Sequence, residues 1–227
     1  MEQQHARAAR IPSRQRRRTN ATCRKLLDAA RAVFAEKGMD LARIDEISER
    51  ADVGKGTFYY HFKGGKPQII RRLIDDLLSQ LVEAIRQKCT DTSDISDLLQ
   101  RLIAVHIEFF SNRWEDFVLY FHGRADLMLQ EGYPGIETPF IFYLECIEGF
   151  LESVTQYRLP QPVLRRIACA IAGFVSGYYS FAVIAPQDED IDEVFASLRG
   201  AMVASLTRFI QEAVPLNQPA GGPSDQK

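Results

Sequence analysis

Residues Ala51 to Lys66 read ADVGKGTFYYHFKGGK, and this stretch decides how the chain folds. It compresses a turn, a short helix crowded with donors and rings, and a cationic helix start. Phe58 and Phe62 stand four apart and share one helical face, the one that turns to a core. Lys55, Thr57, Tyr59, Tyr60 and His61 are thereby left pointing elsewhere. Asp52 is expected to make the turn, because Asp tolerates left-handed backbone better than most residues. Upstream, Leu26, Leu27, Ala30, Val33 and Phe34 follow helical spacing across Thr22 to Lys37. Thr22 is the expected cap of that helix and Gly38 its stop. Arg43 to Ala51 supplies a second helix with Ile44, Ile47 and Ala51 on one face. Two helices joined by a tight turn, the second short and donor-rich, are expected to form a helix-turn-helix.

Charge is distributed unevenly about this stretch. Residues 1–66 hold 15 Lys and Arg against 8 Asp and Glu, whereas the rest of the chain holds 13 against 22. The net charge of −2 therefore hides a basic first quarter and an acidic remainder. Such a basic region is the footprint of a phosphate-binding surface, and an acidic body is expected to face away from it. Arg7, Arg10, Arg14, Arg16, Arg17 and Arg18 make residues 1–20 read as a flexible basic arm. That arm is either a solubilising tail or a backbone- or groove-following segment. No apolar run follows these arginines, so a secretory signal is not expected.

Residues 22–73 resemble the DNA-binding head of the TetR family of bacterial regulators. The resemblance is carried by Ala29 to Gly38, by Ile44 to Val53, and above all by KGTFYYHFK at Lys55 to Lys63. It implies that Lys55, Gly56, Thr57 and Tyr59 lie at base edges or the adjoining backbone, with Tyr60 at the groove wall. It likewise implies phosphate contacts for His61, Thr22 and Lys66, and Arg43 fits the same role at a helix start. Ordinary packing is the competing reading for Tyr59 and Tyr60, and a solvated cap the competing one for Lys66. This sequence departs from the pattern in three places: Asp52 where glycine is usual, Gly54 where a small hydroxyl is usual, and one extra glycine in Gly64-Gly65. The resemblance implies an all-α protein of about nine helices. It divides into a head at 21–66 and an effector-binding and dimerisation domain at 67–213, while the composition of 214–227 reads as a disordered tail.

Beyond Pro67, expected as the first residue of a fourth helix, apolar spacing predicts helices at Ile69 to Lys88, Asp94 to Asn112 and Trp114 to Leu129. After a break at Gly132 to Gly135 come Thr138 to Tyr157, Val163 to Ala185 and Asp190 to Ala213. The last is expected to present Ile191, Val194, Leu198, Met202, Leu206 and Phe209 on one stripe. Ile167 to Ala185 carries no charge, a length that would permit a membrane span. Its glycines, serines and tyrosines favour a helix buried on all sides instead. With Gly173 and Gly177 admitting a close neighbour, the helices at 163–185 and 190–213 are expected to form a homodimer interface. An isologous dimer would present two recognition helices to a palindromic duplex operator.

The body is rich in rings, and such a stripe is more often core than ligand wall. His106, Phe110, Trp114, Phe117, Phe121, His122, Phe174 and Tyr178 are the candidates for contacting a small hydrophobic or aromatic effector, with Arg124 and Asp126 able to orient it. The resemblance implies a repressor released when the effector selects a dimer state that mismatches the operator. No hydrolase, metalloprotease or nucleotide-loop motif is present, so no catalytic residue, metal or cofactor is expected. Four cysteines without a C-x-x-C pair suit a reducing cytoplasm. Cys23 reads either as a plain packing residue or as a reactive thiol. An adaptor that has lost DNA binding remains the alternative among binding proteins.

Overall fold

The computed structural model describes residues 14–129, 135, 137–156, 158–184 and 191–213. Among them nine helices and no strand occur: α1 Arg14–Leu41, α2 Ile44–Arg50, α3 Lys55–His61, α4 Gly65–Lys88, α5 Ile95–Phe110, α6 Trp114–Leu129, α7 Glu137–Val154, α8 Gln161–Ile184 and α9 Ile191–Ala213. The fold is all-α, with a helix-turn-helix head followed by a helical body. Two compact units divide between Leu73 and Ile74, inside α4.

In the first unit, α1 packs on α2 and α2 on α3. Leu26, Ala30, Phe34, Ile47 and Phe58 are all 0–1% exposed and form the centre of its core. The α1 helix starts earlier than the spacing of its apolar residues implies. Thr22 does not cap it; its hydroxyl donates to the Arg18 carbonyl at 3.1 Å, one turn back inside the helix. Nothing between Arg14 and Thr22 is a glycine or proline, and arginine, glutamine and alanine propagate helix well. Gly38 does break the helix, with φ 77° and ψ 165°. Asp52 makes the turn with φ 53°, the left-handed conformation its short polar side chain tolerates. The α2 helix is closed at its start by the Glu46 carboxylate, which accepts the Arg43 N–H at 3.2 Å.

In the second unit, α5 is central and packs against α6, α7, α8 and α9. Its Leu98, Leu99, Leu102 and Ile103 are fully buried. Asp94 caps it as expected, accepting the Asp97 N–H at 2.8 Å. The α4 helix begins at Gly65, so Pro67 is its third residue rather than its first; a proline in the first turn interrupts no helical hydrogen bond. The stripe expected on α9 is not the buried line of that helix. Val203 and Ile210 are the buried pair, at 2–3% exposure, while Leu198 and Phe209 stand about half exposed. Two apolar lines run along that helix, and the outward one is the line that periodicity selects. Among the described residues no helix is long and apolar enough to cross a membrane, α8 included. Residues 1–13 of the expected arm, the Gly132 to Pro134 part of the break, the Asp126 side chain and the expected tail lie outside the described residues or side chains.

Candidate nucleic-acid interface

Helix α3 shows one buried and one open side. Phe58 and Phe62 are 0% and 4% exposed and pack ring to ring at 5.5 Å, anchoring the helix. Tyr59 and Tyr60 are 42% and 70% exposed. The Tyr59 ring meets the Phe58 edge at 5.6 Å, and Tyr60 meets His61 at 5.2 Å, both edge-to-face. Holding such rings out into water gives up apolar burial, which an interface would recover. Thr57 is half-buried; Lys55, Gly56 and Arg43 are exposed. Gly54 caps α3 with extended backbone, its carbonyl accepting Thr57 and Phe58 N–H groups at 2.8 and 3.3 Å. A Cβ added at Gly54 meets open space, so the missing hydroxyl is not a steric necessity.

Several cations of the head are already engaged. The Lys55 ammonium lies 2.7 Å from the Asp45 carboxylate on α2. The ion pair with Lys55 holds the Asp45 carboxyl below its usual range, and the same pair raises the Lys55 ammonium above its own. Lys37 pairs with Glu46 at 2.6 Å and Arg50 with Glu36 at 2.7 Å. Lys66 is directed inward: its ammonium donates to the Met39 and Asp40 carbonyls at 2.8 Å each and to the Ala42 carbonyl at 3.4 Å. The Met39 and Asp40 carbonyls lie in the last turn of α1 and Ala42 follows it, so the Lys66 ammonium closes that end of the helix in this structure. The expected phosphate contact of Thr22 loses its basis, since Thr22 is not at a helix start. The surface that remains presents Arg43, Gly56, Tyr59 and Tyr60 openly and Thr57 and His61 half-buried, with Lys55 held by Asp45. Gly65 carries φ 69°, so the extra glycine sits where left-handed backbone is needed. The Gly64 N–H donates to the Gln68 side chain at 2.8 Å and closes the α4 start.

In the second unit the eight effector candidates do not line one wall. His106 is fully buried: Nδ1 faces the Leu102 carbonyl and Nε2 lies 2.7 Å from the Tyr143 hydroxyl. Burial pushes its pKa down to about 4, so the imidazole is neutral. Phe110 and Phe117 are core residues, stacked on Tyr120 and Tyr179 at 5.4 and 4.8 Å. Trp114 and Phe121 lie about half exposed, with His122 edge-on to Phe121. Phe174 and Tyr178 belong to another cluster, against Phe195 of α9 at 6.0 and 4.1 Å. Helical spacing cannot separate these groups, because it reports the face of one helix and not the neighbour that covers it. The polar partners Tyr143 and Ser176 carry no sequence signal of their roles; only Tyr120 and Arg124, one turn apart, hint at a shared face.

A helical protein whose head exposes a short, ring-bearing recognition helix over a helix-turn-helix core is, in class, a helix-turn-helix DNA-binding protein. Residues 26–73 match the model described as bacterial regulatory proteins, tetR family, so the head of this chain is that of a tetR-family transcriptional regulator. The HTH-type transcriptional regulator YvdT of Bacillus subtilis is 29% identical over 131 residues, covering 58% of this chain and 67% of that protein. The HTH-type transcriptional activator FasR of Mycolicibacterium smegmatis is 30% identical over 97 residues, covering 43% of this chain and 44% of that protein. The chain thus spans about two thirds of the first relative's length and under half of the second's. The structure of FadR from Bacillus subtilis, in complex with stearoyl-CoA, shares the fold with a TM-score of 0.64 at 22% identity, over 80% of this chain and 97% of that one.

Proposed function

We propose that the chain is a homodimeric repressor that reads a palindromic duplex through α3 and is released by a small hydrophobic or aromatic effector bound in its second unit. The observation that carries DNA reading is the open side of α3, where Tyr59 and Tyr60 stay exposed while Phe58 and Phe62 hold the helix to its core. Thr57 and Tyr59 contact bases or the adjoining backbone, with Arg43 and His61 on phosphates. The dimer runs through α8 and α9. Leu198 and Phe209 are exposed apolar residues on α9, and a Cβ at Gly173 or Gly177 of α8 meets open space, as an approaching helix would require. An apolar effector is supported by the ring-rich core of the second unit and by the stearoyl-CoA bound to the FadR relative in fold. The effector acts by stabilising a dimer state that fits the operator poorly.

The sign of regulation separates this chain from FasR, which is an activator. Transcription in vitro from a promoter carrying the bound site should fall on adding the protein and recover on adding effector. A rise on adding the protein would refute repression and leave DNA binding standing. Sedimentation at micromolar concentration should give a dimer, and a monomer there would refute the two-fold reading.

A further inference from the structure

Four arginines of the second unit pair with a carboxylate: Arg101 with Asp97, Arg113 with Asp116, Arg165 with Glu148 and Arg208 with Glu212. Arg124 on α6 is different. It is half-buried, and its described partners are all neutral. Its Nη1 donates to the Ser176 hydroxyl and, at 3.3 Å, to the Ala172 carbonyl on α8. Its guanidinium lies 5.8 Å from the Tyr120 ring centre. A guanidinium stays protonated in a protein, so this charge cannot be shed. Half-buried with neutral partners among the described residues, it carries a desolvation cost that an anion would offset further. Its planar fork offers five N–H groups, more than these neighbours use, in the geometry that grips a carboxylate or phosphate with two bonds.

What lies behind it is neutral throughout. The Leu102 carbonyl only accepts, so His106 carries its proton on Nδ1 and its Nε2 accepts from Tyr143. The Tyr143 ring meets the Tyr120 ring edge-to-face at 6.2 Å. Tyr120 and Tyr143 are each 1% exposed. This cluster of side chains from α6, α7 and α5 contains no group that answers the arginine's charge. The rings of Phe117 and Phe140 flank it, the latter 5.8 Å from Tyr120.

The geometry points to Arg124 as the anchor for an acidic head group on the effector, a carboxylate or an organophosphate borne by an apolar body. This rests on the reading of the second unit as effector-binding. The buried state of Tyr120 means that a ligand must loosen the Arg124–Ser176 bond and shift α6 against α8 to enter. A bidentate ion pair supplies the differential affinity that such a shift demands, and an uncharged ligand of the same length does not.

Calorimetric titration of the full chain with four ten-carbon probes below their micelle concentrations tests this: decanoate, decyl phosphate, methyl decanoate and decyltrimethylammonium. At least one of the two anions should bind about tenfold or more tighter than the ester and the cation. Arg124→Gln should erase that preference while leaving the ester's affinity unchanged, and Arg124→Lys should keep part of it. Ser176→Ala, which releases the guanidinium from its internal acceptor, should tighten the anion and serves as the opposite-signed variant if Arg124→Gln does not fold. Binding of all four probes with equal affinity, or an anion preference that survives Arg124→Gln, overturns the anchor alone. Binding of none overturns it together with the effector reading, and the ranking of decanoate against decyl phosphate identifies the head group.

Discussion

Phe58 and Tyr59 are neighbours in one short helix, and replacing each by alanine should separate folding from DNA reading. Phe58 is 0% exposed and packs on Phe62 at 5.5 Å. Truncating a fully buried phenylalanine costs about 3–5 kcal/mol, a large share of the roughly 5–15 kcal/mol that holds a domain together. Tyr59 is 42% exposed. Full burial of a large apolar side chain is worth about 1.5–3 kcal/mol, so the part Tyr59 hides is worth about 1 kcal/mol. Its contact with DNA, as a central aromatic at an interface, should be worth about 2 kcal/mol or more, a loss of roughly 30-fold in affinity. Urea denaturation followed by circular dichroism gives the first quantity, and fluorescence anisotropy on a selected operator gives the second. Tyr59→Ala should be nearly as stable as the parent and bind far more weakly; Phe58→Ala should be severely destabilised. Tyr59→Phe, which keeps the ring, divides the loss between stacking and hydroxyl. An unchanged operator affinity in Tyr59→Ala would refute the assignment of the open side of α3 to DNA, and a fully stable Phe58→Ala would refute the core described for the head.

Further outcomes follow from other parts of the molecule. Asp45→Asn should tighten DNA binding, because Lys55 no longer has to leave a carboxylate 2.7 Å away; the slope of log affinity against log salt should steepen by up to about 0.9, one further phosphate neutralised. An unaltered slope would show that Lys55 does not reach the backbone. Gly65→Ala should cost about 1 kcal/mol in urea denaturation from backbone strain alone, since φ is 69° while the added Cβ meets only Ile44 at an ordinary 3.9 Å. For His106, the folded pKa of about 4 lies below the ordinary unfolded value near 6.5. The unfolded chain therefore takes up this proton first, and stability is lost as pH falls through 6.5, levelling near 4. The loss from this group is about 3 kcal/mol across that window. His106→Gln should be less stable at pH 7 but show a flatter pH profile between 4 and 6.5; an identical slope would contradict the buried neutral imidazole.

The parts of the fold that were legible in the sequence are those whose cause is local. Phe58 and Phe62, four apart, are buried as their spacing implies, and Asp52 turns left-handed because its own side chain permits it. Asp94 caps α5 through a residue three positions away. Misreadings arise where the partner is distant. Lys66 reads as a basic residue at a helix start, yet its acceptors are carbonyls 24 to 27 positions earlier. Thr22 reads as a cap because nothing local marks that the helix already runs through Arg14 to Asn20 ahead of it. On α9 two apolar lines coexist, and only the packing of α5 and α8 beside it selects Val203 and Ile210 for burial. The effector candidates scatter for the same reason: Phe110 and Phe174 belong to clusters formed by different helices.

The central claim is that two copies of α3 read a two-fold duplex site. Selection of bound DNA from a random double-stranded pool by the full chain tests it most directly. An inverted repeat should be enriched, its half-sites spaced by a helical turn or more of DNA, and Tyr59→Ala should abolish that enrichment. Recovery of no enriched sequence, or of a single unrepeated half-site, would contradict it.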